Sequence, residues 1–370
     1  MNKIPPFDVS QQYQQIGDRL NQAAIDVLAS GQYVGGQTVS QFEQNFAEYV
    51  GAQHGIACNS GTDALYLAMR ALDIGEGDEV ITVPFTFFSS AETISMTGAK
   101  PVFIDVEAHS FNMNLDLLEG AITERTKAVM PVHLFGRPVD MPRLMAIAKK
   151  HNLYVIEDCA QATGATYNQT KVGNFGDVGC FSFYPTKNLG GCGDGGMMTT
   201  NQPAIAEKLR ILREHGSPQR YYHQYIGMNS RLDTLQAALL QVKLPYLDKW
   251  NALRREISDR YTHLFKDAAI PQITTPHHCP QSVWNQYTIR ISGGKRDFVQ
   301  AQLRDRQIIT MIYYPLPLHL QEVYQGLGYA KGDFAVTEEI CGQVLSLPMF
   351  PELSAEQQSQ VVTAIAEILK

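Results

Sequence analysis

Lys187 stands between an apolar run and a glycine-rich one, in CFSFYPTKNLGGCGDGG (residues 180–196). A primary amine does covalent chemistry when it is held neutral in a tight site, whereas on a surface loop it is a solvated cation. Gly190, Gly191, Gly193, Gly195 and Gly196 follow it. Glycine lets a ligand or another strand come close to the backbone. Asp158 ends a second apolar run, in VIEDCAQATGA, and Gln161 follows within reach of the same ligand. An acid there is costly to bury without a cationic partner; the plainer alternative is a helix N-cap.

Ser60, Gly61 and Thr62, in CNSGTDAL, open a helix directly after a strand. Free N–H groups at that positive end suit a phosphate, although Ser-Gly is also ordinary helix-start chemistry. Ser182, in the strand before Lys187, is a second candidate phosphate ligand, and Phe87, in PFTFFSS, is either a flat ligand-facing surface or a core ring. Together these residues suit pyridoxal 5'-phosphate (PLP). The amine bonds the cofactor aldehyde, and an aspartate beside the pyridine nitrogen keeps it protonated, so that the ring withdraws electrons from a carbanion. Neither GxxxxGK[ST] nor GxGxxG occurs in a strand–helix setting, which argues against a nucleotide loop.

The elements that must position these residues read as strand–helix alternation from Gly55 to Thr200. HGIACNS, DEVITVPF, KPVFIDV, KAVMPVHLFG, LYVIEDCA, DVGCFSFYP and GGMMTT are strand candidates. GTDALYLAMRAL, FFSSAETISMTG, NLDLLEGAIT and DMPRLMAIAKKH carry helical patterns. Such alternation predicts βαβ units, a mostly parallel sheet, and ligands at the C-terminal strand ends. A helix is expected over Leu232–Leu244, opened by a Ser230/Asp233 capping box, with Leu235, Leu239 and Val242 as its apolar stripe. The helix in YLDKWNALRREISDRYTHLF then leads to a small α+β unit with strands NQYTIRI and ITMIYY and helices RDFVQAQLRDR and SAEQQSQVVTAIAEILK. The expected domains are residues 1–245, whose first segment packs on the small domain, and 246–370.

The 370 residues carry a net charge of −7 and no basic tract, so no nucleic-acid partner is expected. MNKIPPFDVSQQYQQ lacks the apolar core of a signal peptide, and no run is long enough to span a membrane. Six scattered cysteines without a C-x-x-C pair signal neither zinc nor a disulfide framework. His277, His278 and Cys279 read as a loop rather than a chelate, so no metal is expected, and a reducing cytoplasm fits best.

EDCAQATGA, FSFYPTKNLGGCGDGG and GMNSRLDTLQAALLQVKL resemble signatures of the DegT/DnrJ/EryC1/StrS aminotransferases, and the resemblance runs from QYVGGQTVSQFEQNFAEYVG to LSLPMFPELS. It implies a fold-type I PLP enzyme that aminates a nucleotide-linked keto sugar, with an amino acid, expected to be glutamate, as donor. By that resemblance Lys187 carries the cofactor, Asp158 pairs with the pyridine nitrogen, and Gln161 contacts the ring hydroxyl. Phe87 covers the ring, and Gly61, Thr62 and Ser182 hold the phosphate. Asn229 reaches the phosphate, and Arg231 the substrate, from the neighbouring subunit of a homodimer. Tyr313, Tyr314 and His319 lie where relatives contact the sugar nucleotide. Two departures stand out: many relatives have His at the position of Tyr313, and Ser or His at that of Thr163.

RYYHQYIGMNSRLDTLQ most resembles members that aminate at sugar carbon 3. Lysine at 187 argues against a sugar dehydratase, since such relatives carry His there. A sugar-responsive regulatory protein on the same fold is the other alternative. Burial and a cationic neighbourhood are expected to lower the pKa of Lys187 toward the working range.

Overall fold

A computed structural model describes residues 3–370. Two helices, α1 (Ser10–Ser30) and α2 (Gly36–Val50), precede a seven-stranded sheet. Its strands are β1 (His54–Cys58), β2 (Glu79–Thr82), β3 (Lys100–Phe103), β4 (Thr126–Val129), β5 (Tyr154–Asp158), β8 (Val178–Ser182) and β9 (Gly196–Thr200), the short hairpin β6 (Thr166–Tyr167) and β7 (Thr170–Lys171) lying outside it. The order is β1-β9-β8-β5-β4-β2-β3. β9 pairs antiparallel with β1 and β8, and the other pairs are parallel, so β9 alone runs backwards. Six strands therefore point their C-terminal ends at one edge. The central strands are buried almost throughout, as expected of parallel strands covered on both faces.

Helices α3 (Gly61–Ala71), α4 (Ser89–Met96), α5 (Met141–Lys150), α6 (Pro203–Arg213) and α7 (Thr234–Lys243) connect and flank the strands. Asp140 caps α5 through the Arg143 amide and Pro142 occupies its first turn, so its start is encoded locally. α7 begins two residues later than expected, and its stripe is real: Leu239 is buried and Leu235 and Val242 pack beside it against Trp250. The Ser230/Asp233 capping box does not form. Asp233 makes no cap bond, and Ser230 Oγ instead donates to Asp63 (2.6 Å) and accepts from the Asn59 amide (3.2 Å). NLDLLEGAIT is not an α-helix either. Leu115 and Leu118 are buried from turns, and only Glu119–Ala121 closes a 3₁₀ turn, with Gly120 where a helix would need a good former.

The long helix α8 (Leu247–Ala268) enters a second unit. It holds a three-stranded sheet, β10 (Ile273–Thr274), β11 (Tyr287–Ile291) and β12 (Val344–Leu347), with helices α9 (Arg296–Asp305), α10 (Ala335–Cys341) and α11 (Ala355–Leu369). A separate core forms from Ile257, Tyr261, Tyr287, Ile289, Val299, Leu345 and Val361. Ile4 joins that core: its amide donates to Gln307 O and its carbonyl accepts from Ile309 N. ITMIYY is not a strand. Met311 makes one bridge, to Ser346, and the chain then leaves through Tyr313 and Tyr314 into a segment where Pro315 and Pro317 cannot donate to a ladder. No helix among the described residues is long and apolar enough to cross a membrane.

Candidate active site

At the C-terminal edge of the large sheet lies a cavity of about 710 Å³. β1, β2, β5 and β8 deliver Gly61 and Thr62, Phe87, Asp158 with Gln161, and Ser182 with Lys187 to its wall. The second unit adds Asn285, Gln286, Tyr313, Tyr314, Leu316 and Gln321. The amide of Leu318 donates to Pro84 O (2.9 Å), docking the 313–318 segment on the end of β2.

Asp158 is 6% exposed. It accepts from Ser90 Oγ (2.8 Å) at one oxygen and from the Ala160 amide (3.1 Å) at the other. Burial pushes its carboxyl above the usual range, opposed by the Ser90 bond, the Ala160 amide and the charge of Lys187. No lysine or arginine is within ion-pair distance of it among the described residues. Next to it, Glu157 accepts amides from Gly173, Phe175 and Gly176 and a bond from His133 Nε2 (3.2 Å). The Val139 amide donates to His133 Nδ1, so Nε2 carries the proton. His133, Glu157 and Cys159 are close enough to suggest a metal, but both histidine nitrogens and the carboxylate are already committed to this structural knot.

Lys187 lines the cavity half-buried, and burial lowers its amine from 10.5 to about 8, with Asp158 pulling the other way. The expected cationic neighbourhood is absent among the described residues: Lys187 is the one cation of theirs lining the cavity, against Asp158 and Asp194. None of Gly190, Gly191, Gly193, Gly195 and Gly196 has a positive φ. Glycine is needed there for room. A Cβ on Gly190 would overlap the carbonyl of Pro185, and one on Gly191 would sit 2.9 Å from Gln236 Oε1.

At the start of α3, Ser60 Oγ accepts from the Asp63 amide (3.0 Å), while the Asp63 carboxylate accepts from Ser230 Oγ (2.6 Å). A Cβ on Gly61 would lie 2.7 Å from Ser182 Cβ, so only glycine lets this helix start meet β8. Thr62 Oγ1 is paired with Ser89 Oγ at 2.7 Å. Phe87 is 56% exposed, with Tyr314 at 6.2 Å between ring centroids. Gln161 is held at both ends, accepting from the Phe135 amide (2.7 Å) and donating to Tyr314 OH (3.1 Å).

His319 does not face this cavity, and Asn229 and Arg231, expected to act on a neighbouring subunit's site, lie outside their own chain's. Asn229 is exposed, pairs with Glu214 in a bridge, and lies outside the wall. Arg231 lies 3.4 Å from Glu214 Oε2 and is also outside the wall. His319 is buried behind it, bonded to Glu338 Oε1 (3.0 Å) and edge-on to Phe334. Ser90, Thr86, Tyr184, Asp194, Asn285 and Gln286 belong to the site and were missed. Only Ser90 had a signal, as the second serine of a helix start facing the strand ends.

The residues present fit PLP. A helix start with a glycine cradle can take a phosphate, a buried carboxylate with no ion-pair partner among the described residues can take a protonated ring nitrogen, and an amine lowered by burial to about 8 can bond an aldehyde. The DegT/DnrJ/EryC1/StrS aminotransferase family model matches residues 14–366. The chain is 44% identical to a UDP-N-acetyl-3-dehydro-alpha-D-glucosamine 3-aminotransferase of Acidithiobacillus ferrooxidans, over 99% of this chain and 98% of that protein. It is 48% identical to a pleiotropic regulatory protein of Geobacillus stearothermophilus, over 99% of each. The solved structure of DesV from S. venezuelae, in complex with a ketimine intermediate, superposes with a TM-score of 0.95 at 41% identity, covering 99% of this chain and 98% of that one. With a match over almost its whole length and a cavity built from the residues that carry the signatures, the chain belongs to the DegT/DnrJ/EryC1/StrS aminotransferase family.

Proposed function

We propose that the protein is a PLP-dependent aminotransferase that moves the amino group of an amino acid, glutamate by expectation, onto carbon 3 of a nucleotide-linked keto sugar. The observation that carries it is the pair lining one cavity: the buried carboxylate of Asp158, with no lysine or arginine among the described residues in ion-pair distance, and Lys187, whose amine burial lowers from 10.5 to about 8. When bound, PLP supplies an electron sink for a carbanion. Asp158 holds the charge that keeps the ring nitrogen protonated, and Gly61, Thr62 and Ser182 hold the phosphate. Lys187, neutral for part of the time near pH 8, takes and returns the proton at the reacting carbons. Phe87, Gln161, Tyr313 and Tyr314 flank the space left for ring and sugar.

The cavity of one chain is short of positive charge for such ligands. Among the described residues its lining carries one cation and two anions, yet cofactor, nucleotide and glutamate are all anionic. We read the missing charge as Arg231 of a second copy of the chain, which reaches the substrate in a homodimer while Asn229 of that copy donates to the phosphate. The same stretch leaves Tyr221, Tyr222 and Ile226 exposed at 78%, 68% and 82%, apolar surface that a partner would cover. The Acidithiobacillus relative's 3-dehydro sugar favours carbon 3, and free cysteines that are mostly buried favour a cytoplasmic setting. The regulatory name of the Geobacillus relative keeps a sensing role as the second reading.

A panel of UDP- and dTDP-linked 3-keto and 4-keto sugars, each offered with glutamate and PLP, decides. Amination of 3-keto sugars is expected. A protein that binds PLP in the visible range yet aminates none of them would favour sensing, and preference for 4-keto sugars would overturn the assignment to carbon 3.

A further inference from the structure

We propose that a buried chain of three asparagines, Asn251, Asn188 and Asn285, positions Lys187 by tying its loop to the turn that follows Asp158. The three are 2%, 3% and 4% exposed. Buried amides are costly unless bonded, and these are bonded to one another and to the two loops. Asn188 directly follows Lys187. Its Nδ2 donates to Asn251 Oδ1 (2.7 Å) and to Val283 O (2.9 Å), which uses both hydrogens. Its Oδ1 accepts from Asn285 Nδ2 (2.9 Å). Asn285 Nδ2 also donates to Thr186 O (3.4 Å), so the residues on both sides of Lys187 are held by one side chain.

Asn251, on α8, closes the link. Its Nδ2 donates to Thr163 O (3.1 Å), in the turn that follows Asp158 and Gln161. Thr163 is 1% exposed and its hydroxyl has no partner, so its carbonyl is what the network uses. A different side chain at 163 would keep that contact, which gives the departure at this position a physical account. The outer face of the loop is braced separately by Lys243 Nζ on Gly190 O (2.7 Å) and Gln236 Oε1 on the Cys192 amide (2.8 Å). Asn251 does not line the cavity, so it acts through the loops and is a positioning residue. A reacting group displaced by about an ångström loses on the order of a hundredfold in rate.

The proposal rests on the reading of Lys187 as the reacting amine, and the test separates the two. Asn251→Leu removes both bonds at similar size. The control is Gln358→Leu, which removes another fully buried amide, one that donates to Ile257 O far from the cavity. The first readout uses cofactor-free protein, by mass spectrometry of Lys187 reacted with a small aldehyde and borohydride across a pH series. The midpoint should lie near 8 in wild type and Gln358→Leu, and rise in Asn251→Leu as the loosened amine meets water, with Asp158 still the one charge acting on it. The second readout is turnover: kcat should fall about tenfold to a hundredfold in Asn251→Leu, with the KM for glutamate within about threefold. An unmoved midpoint with wild-type kcat in Asn251→Leu overturns the clamp, whatever its melting temperature. A wild-type midpoint near 10.5 strikes the reading of Lys187 instead. If Asn251→Leu does not yield soluble protein, Asn251→Ala, which leaves room for water, carries the same comparison.

Discussion

Ser90→Ala removes the shorter of the two hydrogen bonds to Asp158, Oγ to Oδ2 at 2.8 Å against 3.1 Å from the Ala160 amide. Both groups are buried, and burial already raises the Asp158 carboxyl. Alanine cannot donate, so the ionised form loses support and the pKa rises further. A hydrogen bond to a charged group is worth about 1.5–3 kcal/mol. At about 1.4 kcal/mol per tenfold, the ionised form loses about tenfold to a hundredfold in population where it is the minor form. Asp158 must be ionised to hold the ring nitrogen, so the acid limb of kcat/KM against pH should move to higher pH, with rates on it lower by that factor. The loss should therefore be largest at low pH and shrink as pH rises. Thr86 Oγ1 stands 3.0 Å behind Ser90 Oγ, so Thr86→Val should shift the limb the same way by less. Initial rates from about pH 5.5 to about 9 for the three proteins make the comparison. If the acid limb of Ser90→Ala coincides with that of wild type, Asp158 does not set it and the assigned role fails.

Other perturbations test the rest of the site. Asp158→Asn should still bind PLP but transfer amine on the order of a hundredfold more slowly, as when a strong electrostatic stabiliser is lost. In the cofactor-free protein the same change removes the carboxylate that holds the Lys187 ammonium, so the labelling midpoint should fall below about 8; an unchanged midpoint would deny the coupling. Gly61→Ala places a methyl 2.7 Å from Ser182 Cβ, and should cost about 1–3 kcal/mol of stability and weaken PLP binding; wild-type affinity by visible titration would remove Gly61 from the phosphate site. Lys187→Ala mixed with an Asn229→Ala/Arg231→Ala variant tests the shared site. In a twofold dimer with random pairing, about a quarter of sites regain every residue, so co-refolding should restore that fraction of activity, whereas no recovery would place each site within one chain.

The sheet was legible because its inner strands are short apolar runs closed by polar residues. β5 and β8 announced Asp158 and Lys187 by ending where they do. The helix start at Gly61 was legible from Ser60 and Asp63, but Asp63's real partner, Ser230, lies 167 residues away and no local pattern shows it. The same distance problem hid the asparagine chain, whose bonds cross separations of 63 and 97 residues. ITMIYY reads as a strand by its β-branched and aromatic content, yet the prolines that follow and the cavity it lines decide otherwise. The glycines after Lys187 do mark close packing, but what Gly190 and Gly191 make room for is the carbonyl of Pro185 and the side chain of Gln236 rather than a ligand or a strand. Of the two causes the sequence suggests for a lowered amine at Lys187, burial is the one found within this chain; no cation among the described residues joins it in the cavity.

In the proposed reaction an amino acid's nitrogen reaches a sugar, with PLP supplying the electron sink, Asp158 holding the ring nitrogen and Lys187 moving the proton. Nitrogen-15 glutamate, PLP and a UDP-linked 3-keto sugar, incubated with wild-type protein and with Lys187→Ala, test it in one mass spectrum. The label should appear in the sugar nucleotide with wild type and be absent with Lys187→Ala. An unlabelled sugar with wild type, or label transferred at the wild-type rate without Lys187, would contradict the account.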